Sequence, residues 1–188
     1  MNDDLQLIDE SLAGDTEAFG RLVQKHQDRL FNTLCHVVGC REEAEDIAQE
    51  AFVQAFVKLE TFRRDSAFYT WLYRIAFNLA VSHGRRNRRR TASSLDQSRE
   101  ATGDEPTDPQ EGPEQSLERQ ERAELVQAAL QAISSEYRMI LVLREMENNS
   151  YEVISEILGV PIGTVRSRLH RARLQLRDEL KETLQINE

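Results

Sequence analysis

Residues 150–173 read SYEVISEILGVPIGTVRSRLHRAR. Ser150 is placed to cap a short helix from Tyr151 to Leu158, the run Gly159-Val160-Pro161 breaks it, and a longer helix continues to about Leu180. A short helix, a glycine turn and a following helix is helix-turn-helix spacing, in which the second helix enters the major groove. In that second helix Val165, Leu169, Ala172 and Leu176 recur at three- and four-residue steps and form the core stripe. Arg166, Ser167, His170 and Arg171 lie on the polar sides with Gly163, Thr164 and Arg173. Arginine can bond a guanine edge through two parallel hydrogen bonds, and serine or threonine can reach bases or phosphates. No acidic residue occurs between Ile157 and Arg177, so the local field there is positive.

Working upstream, Leu117, Leu125, Ala128, Ala129 and Ala132 mark one helix, and Ser134-Ser135 opens another through Tyr137, Ile140, Leu141 and Leu143. Asn148-Asn149 makes the turn into Ser150. From Thr91 to Pro113 the chain turns to Ser, Thr, Gly, Pro and acidic residues with almost nothing apolar, so it cannot bury enough surface to offset its ordering entropy. It reads as a flexible acidic linker. The expected fold is all-α: a helical domain over 1–90, the linker over 91–113, and a helix-turn-helix domain over 114–188.

The first domain opens with a short helix, Asp3 to Ala13, closed by Gly14. Asp15 then caps a long helix in which Phe19, Leu22, Val23, Leu30, Leu34 and Val37 share a face, ending at Gly39. A third helix, about Arg41 to Leu59, buries a stripe from Ala44 through Ile47, Ala51 and Phe52 to Phe56. Its other face carries Asp46, Gln49 and Glu50 at i, i+3 and i+4, which project together. Acid–base chemistry would need such carboxylates in a cleft with their pKa values pulled apart, and nothing here supplies one. A docking patch for a basic or amide-rich partner fits better.

Thr61 to Arg90, TFRRDSAFYTWLYRIAFNLAVSHGRRNRRR, combines six aromatic residues with eight arginines. Aromatic faces stack on bases and guanidinium groups neutralise phosphates, which is what handling unpaired nucleic acid requires. The pattern predicts a loop from Thr61 to Ala67 and a helix burying Leu72, Ile75, Ala76, Leu79 and Ala80. Tyr69, Tyr73, Arg74, Phe77 and Asn78 are left to its flanks and outer side. Gly84 is expected to stop this helix, with Arg85, Arg86, Arg88, Arg89 and Arg90 following as phosphate contacts.

Composition bounds the rest. The chain has 188 residues, 39% hydrophobic and 30% charged, which suits a globular helical protein. Its net charge of −9 is strongly segregated: −8 over 1–60, +7 over 61–95, −10 over 96–156 and +2 over 157–188. Two basic islands therefore sit in an acidic chain. Cys35 and Cys40 lack the spacing of a structural zinc site and read as thiols in a reducing compartment. No catalytic, metal or cofactor site is expected. No apolar run reaches membrane-spanning length, and the acidic start does not resemble a signal peptide, so a cytoplasmic location is expected.

Three stretches, in the same order, resemble bacterial sigma factors of the small extracytoplasmic-function group, the RpoE type. EAEDIAQEAF at 43–52 looks like region 2.2, FRRDSAFYTWLYRIAFN at 62–78 like regions 2.3 to 2.4, and SYEVISEILGVPIGTVRSRLHRAR at 150–173 like region 4.2. The resemblance implies a promoter-specificity subunit rather than an enzyme. It assigns Asp46, Gln49 and Glu50 to the clamp of the largest β-type polymerase subunit. Phe62 and Asn78 fall to a base flipped from the −10 element, and Arg166, Ser167, His170 and Arg171 to the −35 element. It further implies contact with the polymerase flap and control by an anti-sigma factor. No cofactor is implied.

The chain departs from the family pattern in places. Val153 stands where a glutamate usually completes a capping box with Ser150, Asn148-Asn149 replaces a more usual Gly-Leu, and Ser82 stands where an aspartate is common. The residues by themselves also leave open a two-domain regulator whose helix-turn-helix binds duplex DNA unaided.

Overall fold

The structure is a computed structural model that describes residues 3–91 and 113–183, with side chains described over 3–86 and 120–182. The first half contains α1 (Asp3–Leu12), α2 (Thr16–Val38), α3 (Arg41–Val57) and α4 (Phe68–Thr91), with a single 3-10 turn at Leu59–Thr61. The second half contains α5 (Pro113–Ala132), α6 (Ser135–Leu141), α7 (Tyr151–Leu158) and α8 (Ile162–Thr183). A π turn, Val142–Met146, continues α6. No strand occurs among the described residues. The linker expected over 91–113 falls almost wholly on 92–112, outside the described residues.

Local chemistry sets both ends of α2 and of α7. Asp15 Oδ1 accepts the amides of Glu17 at 2.9 Å and Ala18 at 3.3 Å, and Gly39, at φ 74°, closes α2. Ser150 Oγ accepts the Val153 amide at 3.3 Å, and Gly159, at φ 64°, closes α7. The expected stop at Gly84 does not occur: α4 runs through it to Thr91. Gly84 lacks the positive φ of Gly14, Gly39 and Gly159, and an interior glycine costs only about 1 kcal/mol against alanine. The arginines beyond it are good helix formers and carry the helix on.

Because Val153 cannot return a bond to Ser150, α7 has half of a capping box. Val153→Glu should stabilise the fold by a few tenths to about 1 kcal/mol in chemical denaturation. A loss of stability would show that the apolar contact of the half-buried Val153 outweighs the cap.

The two halves pack against each other, α4 on α7 and the end of α2 on α5 and α6, and their buried side chains merge into one apolar cluster. In the last turn of α2 the Cys35 carbonyl accepts the Gly39 amide at 2.9 Å, and side chains of the second half reach this carbonyl and the two after it. Gln127 Nε2 donates to the Cys35 carbonyl at 3.4 Å, Gln131 Nε2 to that of His36 at 3.3 Å, and Arg138 Nη1 to that of Val37 at 2.8 Å. The Arg138 cation also suits the negative end of that helix.

A second polar group crosses the seam. Arg29 Nε donates to Glu147 Oε2 at 2.7 Å, the Thr33 hydroxyl donates to the other oxygen of that carboxylate, and the Tyr73 hydroxyl lies 3.0 Å from Thr33 Oγ1. The Tyr69 hydroxyl donates to Asn149 Oδ1 at 3.4 Å. Tyr73 and Phe77, expected on an exposed flank, are buried at 1% and 2% exposure. They stack on each other, and the second half lies over the side of α4 that carries Tyr69 and Tyr73.

Candidate functional site

Three surfaces carry the residues singled out above. On α3, Asp46 and Gln49 are exposed and Glu50 is half-buried. Glu50 accepts from Gln54 Nε2 at 3.1 Å and lies 3.2 Å from His83 Nε2, so it also ties α3 to α4. His83 stands 33 residues away, and no sequence pattern linked the two. The α3 stripe continues past Glu50 into Val53 and Val57, 64% and 74% exposed. Phe56, expected in the core, is also largely open, with its ring edge-on to Phe19 at 5.0 Å. The carboxylate and amide patch therefore adjoins an apolar one, the usual composition of a protein-docking face.

The second surface is the loop between the 3-10 turn and α4, together with the outer side of α4. Phe62 is 7% exposed, which removes it as an open stacking platform. Its ring lies 5.3 Å from Trp71 and 6.0 Å from Phe68, edge to face with the latter, and offset or edge-on ring pairs of this kind are favourable. Phe68 in turn touches His26, which is 3.2 Å from Asp4 and whose pKa burial pushes down. The exposed loop residues are Arg63, Arg64, Asp65 and Ala67. Along α4, Trp71, Arg74, Asn78, Ser82 and Arg85 follow one another at three- and four-residue steps. Trp71 is half-buried and the other four are exposed. This stripe brings the expected Asn78 and Arg85 together with Trp71 and Arg74, whose roles sequence reasoning had not assigned. Arg86 is exposed beside it, while the side chains of Arg88, Arg89 and Arg90 lie outside those described.

The third surface is α8. Val165, Leu169 and Ala172 are buried at 0–1%, and Arg166, Ser167, His170 and Arg171 are all exposed. The other arginines of this helix are engaged: Arg168 with Glu136 at 3.2 Å, Arg173 with Glu145 at 2.7 Å and Arg177 with Asp178 at 2.8 Å. Among the described residues, Arg166 and Arg171 have no carboxylate within ion-pair distance. The protein leaves its cations available on the one face that the helix-turn-helix presents.

Among the described residues no group of three His, Cys, Asp or Glu side chains could hold a metal ion, and no helix is long and apolar enough to cross a membrane. Cys35 and Cys40 are half-buried thiols, and burial pushes the Cys35 pKa up, away from reactive thiolate.

Residues 22–90 match the family profile for sigma-70 region 2, and residues 123–176 that for sigma-70 region 4. The chain is 42% identical over 173 residues to the RNA polymerase sigma-H factor of Pseudomonas aeruginosa, covering 90% of each protein. It is 36% identical over 174 residues, again 90% of each, to the ECF RNA polymerase sigma-E factor of Escherichia coli K12. The chain belongs to the extracytoplasmic-function sigma factors. Its region 2 match spans the α3 face, the loop and α4, and its region 4 match runs from α5 into α8. The solved structure of CnrH with the cytosolic domain of CnrY shares the fold of this sigma factor, at a TM-score of 0.70, 24% identity and 96% and 99% coverage. RpoE of Bartonella quintana with the anti-sigma factor NepR does so at 0.69, 24%, and 92% and 100%. Sigma factors are initiation factors rather than enzymes.

Proposed function

We propose that this sigma factor docks core RNA polymerase through Asp46, Gln49 and Glu50, extended by the apolar Val53, Phe56 and Val57. On this reading the polymerase clamp supplies the basic and apolar partner surface, and the flap engages the second half. Region 4 reads the −35 element with Arg166, Ser167, His170 and Arg171. The 62–67 loop and the α4 stripe, with Asn78 and Trp71, capture a base flipped from the −10 element. Arg74, Arg85 and Arg86, with Arg88 and Arg89, contact phosphates. Phe62 supports that loop from beneath. Stacking of about 1–3 kcal/mol per base can offset the few kcal/mol that flipping costs, so melting needs no nucleotide hydrolysis.

The observation that supports this most directly is the division of labour along α8, where Arg168, Arg173 and Arg177 are ion-paired and the exposed Arg166 and Arg171 are not. Transcription from a DNA library randomised at both elements, with core polymerase and with or without this protein, tests it. Promoter-specific transcripts should appear only with both. A sequence-specific footprint by the protein alone, without polymerase specificity, would favour the stand-alone regulator instead.

Asp46→Ala with Gln49→Ala should weaken core binding at least about tenfold in a direct titration, with no change in unfolding midpoint because both side chains are exposed. Glu50 is the poorer probe, since its loss also frees His83. CnrH and RpoE form complexes with CnrY and NepR, which supports an anti-sigma partner here, acting with this protein in the cytoplasm.

A further inference from the structure

Arg64 adopts φ 64°, the left-handed conformation that L side chains other than asparagine and aspartate rarely take. Strain of this kind persists where surrounding structure over-determines it, and it gathers at functional sites. What holds it here is not the backbone. Thr61 and Phe62 donate to the carbonyls of Lys58 and Leu59, and Thr70 and Trp71 donate to that of Ala67. Among the described residues, no backbone amide from 63 to 66 makes such a bond. The loop is thus fixed at both ends, by these bonds and by the Phe62–Phe68–Trp71 rings, and is unsupported by backbone between them.

The middle is held from α1. Arg64 Nη2 donates to Asp9 Oδ1, and Arg64 Nη1 to Asp9 Oδ2 at 3.4 Å, so both guanidinium ends meet both carboxylate oxygens. α1 is itself tied down. Leu7 and Ile8 are buried, Glu10 pairs with Arg21 at 2.6 Å, and Asp4 pairs with Lys25 at 2.7 Å and lies 3.2 Å from His26. Asp9 is therefore a carboxylate on a fixed platform, facing the one strained residue of the loop.

We propose that Asp9 is a positioning residue for promoter opening: through Arg64 it holds the 63–66 segment in the shape that receives the flipped −10 base. This rests on the reading of that loop as a base-capture element. The pair is exposed and its strength modest, so its effect is to select among loop conformations rather than to hold the fold. α1, which is assigned no DNA contact of its own, becomes a determinant of −10 discrimination.

The test compares Asp9→Asn, Asp9→Arg and the exchanged pair Asp9→Arg with Arg64→Asp. Aspartate tolerates the left-handed region better than arginine does, so the exchanged pair should keep the loop shape. In the free protein, backbone 15N order parameters at Arg63–Asp65 should fall in both single variants and recover in the exchanged pair. In the reconstituted holoenzyme, Asp9→Asn should slow opening of a 2-aminopurine-labelled −10 element about two- to fivefold at unchanged core affinity. It should also lose discrimination against a promoter made abasic at the captured position.

Unchanged order parameters in Asp9→Asn, or no recovery in the exchanged pair, would overturn the clamp. Looser order parameters with wild-type opening and wild-type discrimination would overturn the role in promoter opening. If the wild-type holoenzyme itself ignores the abasic substitution, the base-capture reading fails and this role with it, while the order parameters still report whether the clamp exists.

Discussion

Phe62→Ala should lower the unfolding free energy by about 3–5 kcal/mol, read by chemical denaturation followed through far-UV circular dichroism. The ring is 7% exposed and makes two of the three contacts of the cluster that roofs the first half. Removing it leaves a cavity between Phe68 and Trp71 that those rigid rings cannot collapse to fill, and forfeits an edge-to-face pair with Phe68, worth about 0.5–1.5 kcal/mol, and a tilted contact with Trp71. Polymerase binding and promoter opening would then fall together, because region 2 as a whole is loosened. A base-stacking role has to be separated from this by a substitution that removes the ring and keeps most of the apolar volume. Phe62→Leu should cost less than about 1.5 kcal/mol and retain most promoter opening if Phe62 only supports the loop. An unchanged denaturation midpoint in Phe62→Ala would mean that the ring stands free of Trp71 in solution, and would return it to the DNA.

The difference between a sequence reading that placed Phe62 in an open loop and a structure that buries it is informative about which signals are local. Asp15, Gly39, Ser150 and Gly159 were legible because a cap or a left-handed terminus is decided within a few residues. The division of α8 into Val165, Leu169 and Ala172 against Arg166, Ser167, His170 and Arg171 was legible for the same reason. Periodicity assigns a side chain to a face, yet it does not say what covers that face. Tyr69 and Tyr73 lie under the second half, bonded to Asn149 and, through Thr33, to Glu147, partners more than seventy residues distant. Phe56 errs in the opposite direction: its ring meets Phe19 edge-on and the side chain stays exposed. Gly84 was read as a stop by residue type alone, although a stop depends on φ. Glu50 with His83 and Asp9 with Arg64 were invisible because a side-chain contact across 33 or 55 residues leaves no pattern in one sequence.

The seam between the halves makes the second strong expectation: Gly39→Ala should cost about 2–5 kcal/mol. A residue other than glycine at φ 74° costs about 1–2 kcal/mol. An added Cβ would also stand 2.2 Å from Gln131 Cδ and 2.3 Å from its Nε2, so Gln131 must move at a further cost of about 1–3 kcal/mol. Moving it breaks its bond to the His36 carbonyl and the one that Arg138 makes to Gln131 Oε1. Gly159 supplies the control within the same protein. It has φ 64°, close to that of Gly39, with nothing within 4 Å of its Cβ position, so Gly159→Ala reports backbone strain alone. The excess of Gly39→Ala over Gly159→Ala measures the clash with α5, and Gln131→Ala added to Gly39→Ala should recover part of it, a coupling that a double-mutant cycle reads directly. If the two alanine variants are equally destabilised and Gln131→Ala recovers nothing, α5 does not sit on the end of α2 in solution. The halves are then held by α4 on α7 and by the Glu147 cluster.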